Sequence, residues 1–529
     1  MELFAFQQED VDQLKSKRSR LVGNDPGTGK TFIGIALDQA NRAGDGAKGE
    51  YVDNYMRKHR ALKTLVVCPK NAIDVWDEHL MQYTEDDIYV YTYHTRERFM
   101  QYAKDPRRSG YFVMNYDSVR IKDMRGLNQI TWFHIIGDEI HRIKNRKAQL
   151  VQSFKRIPAL YKTGMSGTPA DNKPEDLWSI LNWLWPNYYT SYWRFVRAYT
   201  IQIPVLDRDG NELGYQKTVG VNEEAIPVLR EEMKPWFTRR RKEDVLTDLP
   251  DKYYSRIWVD LDPKQRKVYD QMKKTMAAWC EDHREEIERE DPIIAQAVVV
   301  QLVRLQQMTA GYLVAKIDPA TGEQEIKYRK KWNKDHTEFD LVEVPQWEMI
   351  DPSAKMDALV ELMTDRGVYE KGGPSFIVFS QSKAAINLFG QRLESKHISH
   401  GLYTGDTKQA ARDELVRSFQ RGDVRVFAGT IKAGGESITL TRSSTVIFID
   451  RWWSPSKNRQ AEDRAHRIGQ REAVEVIDIM ARNTVDLGRW TAINNKWKWL
   501  QMLMGDRVNP EEVVKELSLD DIIELDQGE

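Results

Sequence analysis

One short segment near the N-terminus constrains the fold more than any other part of the sequence. The apolar pair Leu21-Val22 is followed by Asn-Asp-Pro-Gly-Thr-Gly-Lys-Thr at residues 24–31, and then by an apolar helical stretch at residues 32–37. Glycines let backbone N–H groups turn towards phosphate oxygens, and the N-terminus of a helix favours anions. The order therefore predicts a strand, a phosphate-binding loop and a helix, which together form a nucleoside triphosphate site.

Each residue type in this loop has a predicted role. Lys30 reaches the β- and γ-phosphates, and the Thr31 hydroxyl is placed to bind Mg²⁺. The strict pattern has glycine where this chain has Asn24. The predicted phosphate-binding residues are Gly27, Thr28, Gly29, Lys30 and Thr31.

A second motif supplies the acidic groups that phosphate chemistry needs. Residues 132–137 form an apolar run typical of a buried parallel strand, and Asp138-Glu139 follow it directly. Ligands of parallel sheets collect at the carboxyl ends of the strands. We therefore predict that Asp138 holds Mg²⁺, through water, and that Glu139 polarises the attacking water as general base.

The composition of the chain limits the classes of protein to which it can belong. The chain has 529 residues, a formal net charge of −1 and only two cysteines, Cys68 and Cys280. A disulfide framework or a zinc site is therefore not expected, and a reducing compartment is the natural interpretation. Neither a signal peptide pattern nor a long apolar run is evident, which predicts a cytoplasmic protein without a membrane partner.

The pattern of strands and helices predicts an α/β fold with two halves. Apolar strand-like runs alternate with helical stretches in both halves, which is typical of parallel sheets. The predicted strands are 21–22, 65–68, 88–93, 111–114 and 133–136 in the first half, and 375–380, 424–428, 445–450 and 474–480 in the second. Polar patches at 207–210 and 318–323 predict hairpin turns.

The second half has no phosphate-binding loop, but it carries two arginines that could act in the hydrolysis of a bound nucleoside triphosphate. Arg464 and Arg467 are three residues apart in the segment 460–470, and on a helix they would share one face. Two guanidinium groups on one face can stabilise the charge on a γ-phosphate in the transition state, as arginine fingers do. We therefore predict catalytic roles for Lys30, Glu139, Arg464 and Arg467.

At this point the sequence resembles a known family, the Swi/Snf-like ATPases of helicase superfamily 2, which are double-stranded DNA translocases. The likeness runs from about residue 3 to about residue 500, and Arg-Ala-His-Arg-Ile-Gly-Gln at 464–470 is its most specific element. Residues 25–31 match motif I, 138–141 match motif II, and 166–169 match motif III. The resemblance also covers the basic segment 239–250 and motifs IV and V at 377–381 and 434–441.

The resemblance implies an architecture. It predicts two tandem RecA-like lobes with parallel sheets and helical insertions. Lobe 1 is expected over residues 1–250, with an insertion at about 178–245, and lobe 2 over 251–500, with an insertion at about 263–350. Residues 501–529 are expected to form an acidic tail. No accessory reader domain is recognisable, which indicates a bare motor of prokaryotic or phage type, located in a prokaryotic cell or a phage-infected host.

Further roles follow from the resemblance alone. It implies ATP and Mg²⁺ as cofactors and double-stranded DNA, with branched DNA as an alternative, as the partner. Gln7 would read adenine, and His141 and Thr168 would couple the γ-phosphate to the strand-binding loops. Sequence-independent contacts to the nucleic acid backbone are expected near Lys70, Asn115, Ser380, Gln381 and Thr430.

Two other functions remain open from the sequence. The nearer one is a strand-separating or annealing helicase that acts on branched DNA or RNA, and Thr439 in motif V is reminiscent of the annealing branch. Such an enzyme needs a wedge or an aromatic channel for single strands, and the sequence shows no obvious aromatic platform. The more distant one is a non-hydrolysing ATP switch or scaffold. The intact set of Lys30, Asp138, Glu139 and Arg467 argues against it.

Overall fold

The computed structural model describes most of the chain as two compact units. The described residues are 2–45, 49–92, 94–170, 174–206, 212–246, 249–282, 292–332, 339–434, 438–467, 469–489, 493 and 504. Unit 1 comprises residues 1–203 and 218–247 with Met504, and unit 2 comprises 204–217 and 248–495. The predicted tail at 501–529 and the predicted turn at 207–210 lie outside the described residues, except for Met504.

Unit 1 is built on a seven-stranded sheet in which every recorded pairing is parallel. The strand order is β3-β4-β2-β5-β6-β1-β9, and the central strands are fully buried because helices cover both faces. The strands are β1 (Ser19–Val22), β2 (Lys63–Cys68), β3 (Ile88–Val90), β4 (Gly110–Asn115), β5 (Trp132–Asp138), β6 (Ala159–Met165) and β9 (Phe237–Thr238).

The helices of unit 1 alternate with these strands. The N-termini of helices that follow strands lie at the carboxyl edge of the sheet, where the phosphate-binding loop also lies. The helices are α1 (Ala5–Leu14), α2 (Lys30–Ala43), α3 (Gly49–His59), α4 (Ile73–Tyr83), α5 (Arg96–Lys104), α6 (Tyr116–Val119), α7 (Gln149–Lys155), α8 (Glu175–Leu184), α9 (Tyr192–Tyr199), α10 (Ile226–Met233) and α11 (Lys242–Val245). Short 3-10 helices occupy Lys70–Ala72, Lys122–Gln129, Ile140–Ile143 and Lys234–Trp236.

Unit 2 contains a six-stranded sheet that is also parallel in every recorded pairing. Its order is β10-β19-β18-β15-β17-β16. The strands are β10 (Lys252–Val259), β15 (Phe376–Ser380), β16 (His400–Tyr403), β17 (Val426–Thr430), β18 (Thr445–Phe448) and β19 (Val474–Ala481). The helices are α12 (Pro263–Asp282), α13 (Pro292–Ala310), α14 (Ala354–Asp365), α15 (Lys383–Ser395), α16 (Gln409–Arg421), α17 (Ile431–Gly434) and α18 (Pro455–Glu462).

Three two-stranded sheets complete the described fold. Their strands pair as β7 with β8, β11 with β14, and β12 with β13. They span β7 (Thr200–Leu206), β8 (Glu212–Val221), β11 (Tyr312–Ala315), β12 (Ile326–Trp332), β13 (Phe339–Pro345) and β14 (Trp347–Ile350). The predicted turn at 318–323 is present, because the Asp318 N–H donates to the Glu323 carbonyl at 2.8 Å.

The predicted α/β fold class is confirmed, with two parallel sheets and helices around them. The predicted helical insertions also contain strands, since β7 and β8 lie in the first and β11 to β14 lie in the second. Four strands of the two large sheets were not predicted, because they are short or because polar residues interrupt their apolar residues: β6, β9, β10 and β16. None of the helices within the described ranges combines the length and apolar character that a bilayer crossing requires.

A buried polar network joins α2 to the sheet of unit 1. The Asp38 carboxylate accepts hydrogen bonds from Arg42 Nε at 2.6 Å and Thr64 Oγ1 at 2.8 Å, and its Oδ1 lies 2.7 Å from His134 Nδ1. Burial raises the pKa of Asp38, but Arg42 and His134 outweigh it and hold that pKa below its usual range. Burial lowers the pKa of His134 to about 4, so its ring is neutral at pH 7.

The network predicts a large loss of stability when the Asp38 carboxylate is removed. Asp38→Ala should reduce the free energy of unfolding by about 3–5 kcal/mol, because the largely buried Arg42 guanidinium loses its nearest counter-charge and keeps only the more distant Asp86. The matched control is Asp12→Ala, since Asp12 pairs with Lys15 on the surface and should contribute at most about 1 kcal/mol. The measurement is urea unfolding followed by circular dichroism. Equal unfolding midpoints for the two variants would contradict the assignment.

Candidate active site

The phosphate-binding loop follows β1 and ends where α2 begins at Lys30. Gly27 and Gly29 have φ angles of 84° and 78°, which side chains other than that of glycine rarely allow. A Cβ atom on Gly29 would also lie 2.4 Å from Gln7 Nε2. The Thr28 hydroxyl donates to the Asp25 carbonyl at 2.8 Å and closes the turn. Both glycines are therefore required by the shape of the loop.

Lys30 lies beneath this loop. Its ammonium donates to the carbonyls of Asn24 at 2.9 Å and Asp25 at 3.2 Å, and the residue is only 9% exposed. Burial lowers the pKa of Lys30, whereas the nearby carboxylates of Glu139 and Asp138 act to raise it. The first unit therefore brings the predicted lysine and the two predicted carboxylates close together.

Asp138 and Glu139 lie at the carboxyl end of β5, as the sequence predicted. Asp138 Oδ2 accepts from Trp76 Nε1 at 3.0 Å, and Tyr116 donates its hydroxyl to the Asp138 carbonyl at 2.7 Å. Burial and the adjacent Glu139 raise the pKa of Asp138. The partly buried Asp138 carboxylate at the end of β5 and the Thr31 hydroxyl at the start of α2 are oxygen donors of the kind that Mg²⁺ prefers.

A chain of polar contacts links Glu139 to motif III. His141 Nδ1 lies 3.3 Å from Glu139 Oε2 and 3.0 Å from Ser166 Oγ. Ser166 Oγ in turn accepts from the backbone N–H of Thr168 at 3.2 Å. Glu139 itself has a φ of 49°, a conformation that costs a non-glycine residue about 1–3 kcal/mol and is concentrated at functional sites. The structure therefore connects Glu139 to His141 and Thr168, the two residues for which the resemblance implies a coupling role.

Gln7 is packed against the phosphate-binding loop. Its Nε2 donates to the Thr28 carbonyl at 2.9 Å, and its Oε1 accepts from the Phe4 N–H at 3.0 Å. The residue is 2% exposed. One hydrogen and one lone pair of the amide remain for a ligand. Adenine recognition by Gln7 stays a prediction, and the contact with Thr28 gives the residue a further role in shaping the loop.

Two polar side chains link the phosphate-binding loop to α1. Asn24 stands where the strict phosphate-loop pattern has glycine, and its Nδ2 donates to Asp10 Oδ2 at 2.6 Å. Arg240 Nε donates to the other oxygen of Asp10 at 2.8 Å. Asp10 is fully buried, and burial raises the pKa of its carboxyl, whereas Asn24 and Arg240 lower it. These contacts fix the start of the loop to α1.

The basic segment at 237–242 runs beside the same loop. Arg239 Nη1 donates to the Gly23 carbonyl at 2.8 Å and pairs with Asp25 at 2.6 Å. The Lys242 side chain is 4% exposed, and its Nζ lies 3.6 Å from the position of a Cβ atom built on Gly27. A second lysine therefore lies at the phosphate-binding loop. The sequence analysis missed this role, although the cluster of basic residues at 239–242 was noted as part of the family pattern.

The predicted arginines belong to unit 2. Helix α18 ends at Glu462, so the prediction that Arg464 and Arg467 share a helix face is wrong. The chain instead turns after Glu462, and Gln470 Nε2 fixes the turn by donating to the carbonyls of Ser443 at 2.9 Å and Ala465 at 3.2 Å. Arg467 Nη1 donates to Thr439 Oγ1 at 3.2 Å. The unusual motif V threonine therefore positions Arg467.

The residues predicted to contact nucleic acid differ in exposure. Lys70 is exposed at the start of a 3-10 helix, whereas Thr430 at the end of β17 is 8% exposed. The Asn115 side chain caps α6 by accepting from the Ser118 N–H. Ser380 is fully buried and donates its hydroxyl to Asp450, and Gln381 Oε1 accepts from Arg489 Nη2 at 2.6 Å. Ser380 therefore holds the end of β15, and its hydroxyl is not presented to a ligand.

Comparison with known families agrees with this geometry. The SNF2-related domain matches residues 9–311, which is more than half of the chain, and the helicase conserved C-terminal domain matches residues 354–469. The chain belongs to the SNF2-related family. The predicted membership among Swi/Snf-like ATPases of helicase superfamily 2 is thereby confirmed.

Individual relatives of this SNF2-related chain come from several organisms. It is 28% identical over 92% of its length to the human TATA-binding protein-associated factor 172, and 25% identical over 87% to the putative ATP-dependent helicase/translocase YwqA of Bacillus subtilis. It spans 27% and 45% of the lengths of these two relatives. A solved structure, the Sulfolobus solfataricus SWI2/SNF2 ATPase core in complex with dsDNA, is 21% identical in sequence to this chain. The two structures superpose with a TM-score of 0.40, and the match covers 96% of this chain and 98% of that chain.

The position of Lys242 generates a prediction for this SNF2-related chain. Lys242→Gln should weaken binding of ATP about tenfold or more, because a charge-assisted hydrogen bond to phosphate is lost from a buried place. The matched control is Lys234→Gln, because Lys234 lies in the 3-10 helix just before this segment and its side chain is 73% exposed. The measurement is equilibrium titration with a fluorescent ATP analogue. Wild-type affinity in Lys242→Gln would contradict the role.

Proposed function

We propose that this chain hydrolyses ATP and uses the free energy to move along double-stranded DNA. The SNF2-related and helicase C-terminal domains are those of ATP-dependent motors, and YwqA is named a helicase/translocase. The observation that carries the proposal is the connection from Glu139 through His141 and Ser166 to Thr168. This connection joins the proposed general base to the loop of unit 1 that carries Ser166 and Thr168. A link of this kind is needed if hydrolysis is to drive movement.

The proposed hydrolysis uses residues of unit 1 in separate roles. Lys30 moves from the loop carbonyls to the β- and γ-phosphates, and the backbone of 27–29 surrounds them. Glu139 accepts a hydrogen bond from the attacking water, and His141 orients Glu139. Thr31 and Asp138 would hold Mg²⁺, which, when bound, neutralises charge that develops on the phosphate oxygens.

Arg464 and Arg467 have the proposed role of arginine fingers from unit 2. Burial lowers the pKa of Arg467 while Asp463 raises it, and the guanidinium stays charged because its usual pKa lies far above 7. A guanidinium that is already desolvated interacts strongly with a developing negative charge. Thr439 and Gln470 keep the segment in place while it engages the nucleotide.

Double-stranded DNA is the proposed partner. Lys70 and the carboxyl ends of β4 and β17 would contribute contacts to the phosphate backbone, and such contacts do not depend on sequence. Ser380 and Gln381 contribute indirectly, since Asp450 and Arg489 hold them. Binding should therefore weaken steeply as the salt concentration rises. A preference for branched DNA and a cytoplasmic location also remain proposals.

The test is a panel of ATP hydrolysis rates. Rates are measured without nucleic acid and with single-stranded DNA, duplex DNA, branched DNA or duplex RNA. Duplex DNA should stimulate hydrolysis more than single strands do, and duplex RNA should stimulate poorly because its A-form grooves differ. Glu139→Gln is the control, because it should bind ATP without turnover on any nucleic acid.

Displacement assays separate the proposal from the strand-separating and annealing alternatives. A translocase should displace the third strand of a triplex while leaving a forked duplex paired. Efficient unwinding of the fork without triplex displacement would contradict translocation and favour a strand-separating helicase. ATP binding without hydrolysis on every nucleic acid would instead favour the switch or scaffold.

A further inference from the structure

A second concave site lies in unit 1, at the opposite edge of the sheet from the phosphate-binding loop. It has a volume of about 480 Å³ and includes Ser19 and Ala159, the first residues of β1 and β6. The loop that holds Lys30 follows the other end of β1. We call this site the amino-edge cleft. Its volume falls within the range of about 300–1,000 Å³ that is usual for ligand sites.

The lining of the amino-edge cleft is cationic. Lys17, Arg18 and Lys162 line it, and none of the described residues that form its wall is acidic. Arg18 Nε donates to the Leu160 carbonyl at 3.2 Å, and Lys162 Nζ donates to the Trp183 carbonyl at 2.8 Å, so both are held in place. Burial and the adjacent Arg18 lower the pKa of Lys162 to about 8. An anion in the cleft would relieve the repulsion between these cations.

Three aromatic rings share the cleft with these cations. Trp185, Tyr188 and Trp236 all line it. Tyr188 is 67% exposed, so one of its ring faces can be reached from solvent, and the indoles of Trp185 and Trp236 lie against each other. Asn187, beside Tyr188, adds an amide that both donates and accepts hydrogen bonds.

Aromatic faces next to fixed cations match the chemistry of an unpaired nucleotide. A base stacks on an aromatic ring, and the phosphate beside it needs a positive partner within a few ångströms. Bases within a duplex are stacked on each other and cannot present their faces to a ring. An acidic peptide would form ion pairs with the cations, but it would leave the exposed face of Tyr188 without a planar group to stack on it.

We propose that the amino-edge cleft binds single-stranded nucleic acid, taking one or two unpaired nucleotides on its aromatic rings with their phosphates on Lys17, Arg18 and Lys162. This site is separate from the nucleotide site, and the proposal does not depend on ATP hydrolysis. It provides the aromatic platform that was not evident from the sequence. Trp185 and Trp236 are 51 positions apart in the sequence, and only the fold brings them together.

The test uses a fluorescein-labelled oligothymidylate and the full chain without ATP. The double variant Lys17→Ala/Tyr188→Ala should bind it about tenfold or more weakly, because a stacked base and a phosphate contact are both lost. The matched control is Lys371→Ala/Tyr369→Ala, which removes the same two side-chain types from an exposed position in unit 2. The control should bind within about twofold of the wild type, as expected for removal of exposed groups outside the site.

Crosslinking localises the contact independently of affinity. An oligonucleotide that carries 5-iodouracil should crosslink on irradiation to the peptide that contains Trp185 and Tyr188. Equal affinity of the two double variants, or crosslinks found only on other peptides, would overturn the proposal. Binding of a glutamate- and leucine-rich peptide that depends on Tyr188, with no such dependence for oligothymidylate, would overturn it in favour of an acidic protein partner.

Discussion

A buried hydrogen bond between Asp38 of α2 and His134 of β5 holds together the two elements on which the candidate site depends. Lys30 and Thr31 begin α2, and β5 delivers Asp138 and Glu139. The His134 ring is neutral, so its Nδ1 donates to Asp38 and its Nε2 accepts from Thr163. This arrangement fixes the register of the helix against the strand. The spacing between the ammonium and the carboxylates is therefore set inside the core, away from the ligand.

The phosphate-binding loop is also held from outside the core. Asp10 fixes Asn24, and Arg239 fixes Gly23 and Asp25, so residues from α1 and from the segment 237–242 converge on one loop. The shape of the loop therefore depends on contacts from two segments that lie far apart in the sequence.

The sequence predicts the sites of chemistry better than it predicts the contacts that support them. The positions of Lys30 at the start of α2 and of Asp138 and Glu139 at the carboxyl end of β5 were predictable, because their motifs combine a short spacing with neighbouring strand and helix patterns. Their chemical roles stay predictions. The roles of Trp76 and Lys242 were missed, since each depends on a contact between residues distant in the chain. The proposed helix for Arg464 and Arg467 failed because Gln470 and the carbonyls it contacts end the regular structure. The amino-edge cleft was likewise hidden, because its rings come from separate segments.

We propose that an arginine of unit 2 acts on the nucleotide bound by unit 1. The most direct measurement is ATP hydrolysis by Arg467→Ala in the presence of duplex DNA, beside Arg471→Ala, which removes an exposed arginine four residues later. Arg467→Ala should bind ATP almost normally and lose about 10³-fold or more in turnover, while Arg471→Ala should hydrolyse ATP like the wild type. Normal hydrolysis by both Arg467→Ala and Arg464→Ala would contradict the claim and leave motif VI as a structural segment of unit 2.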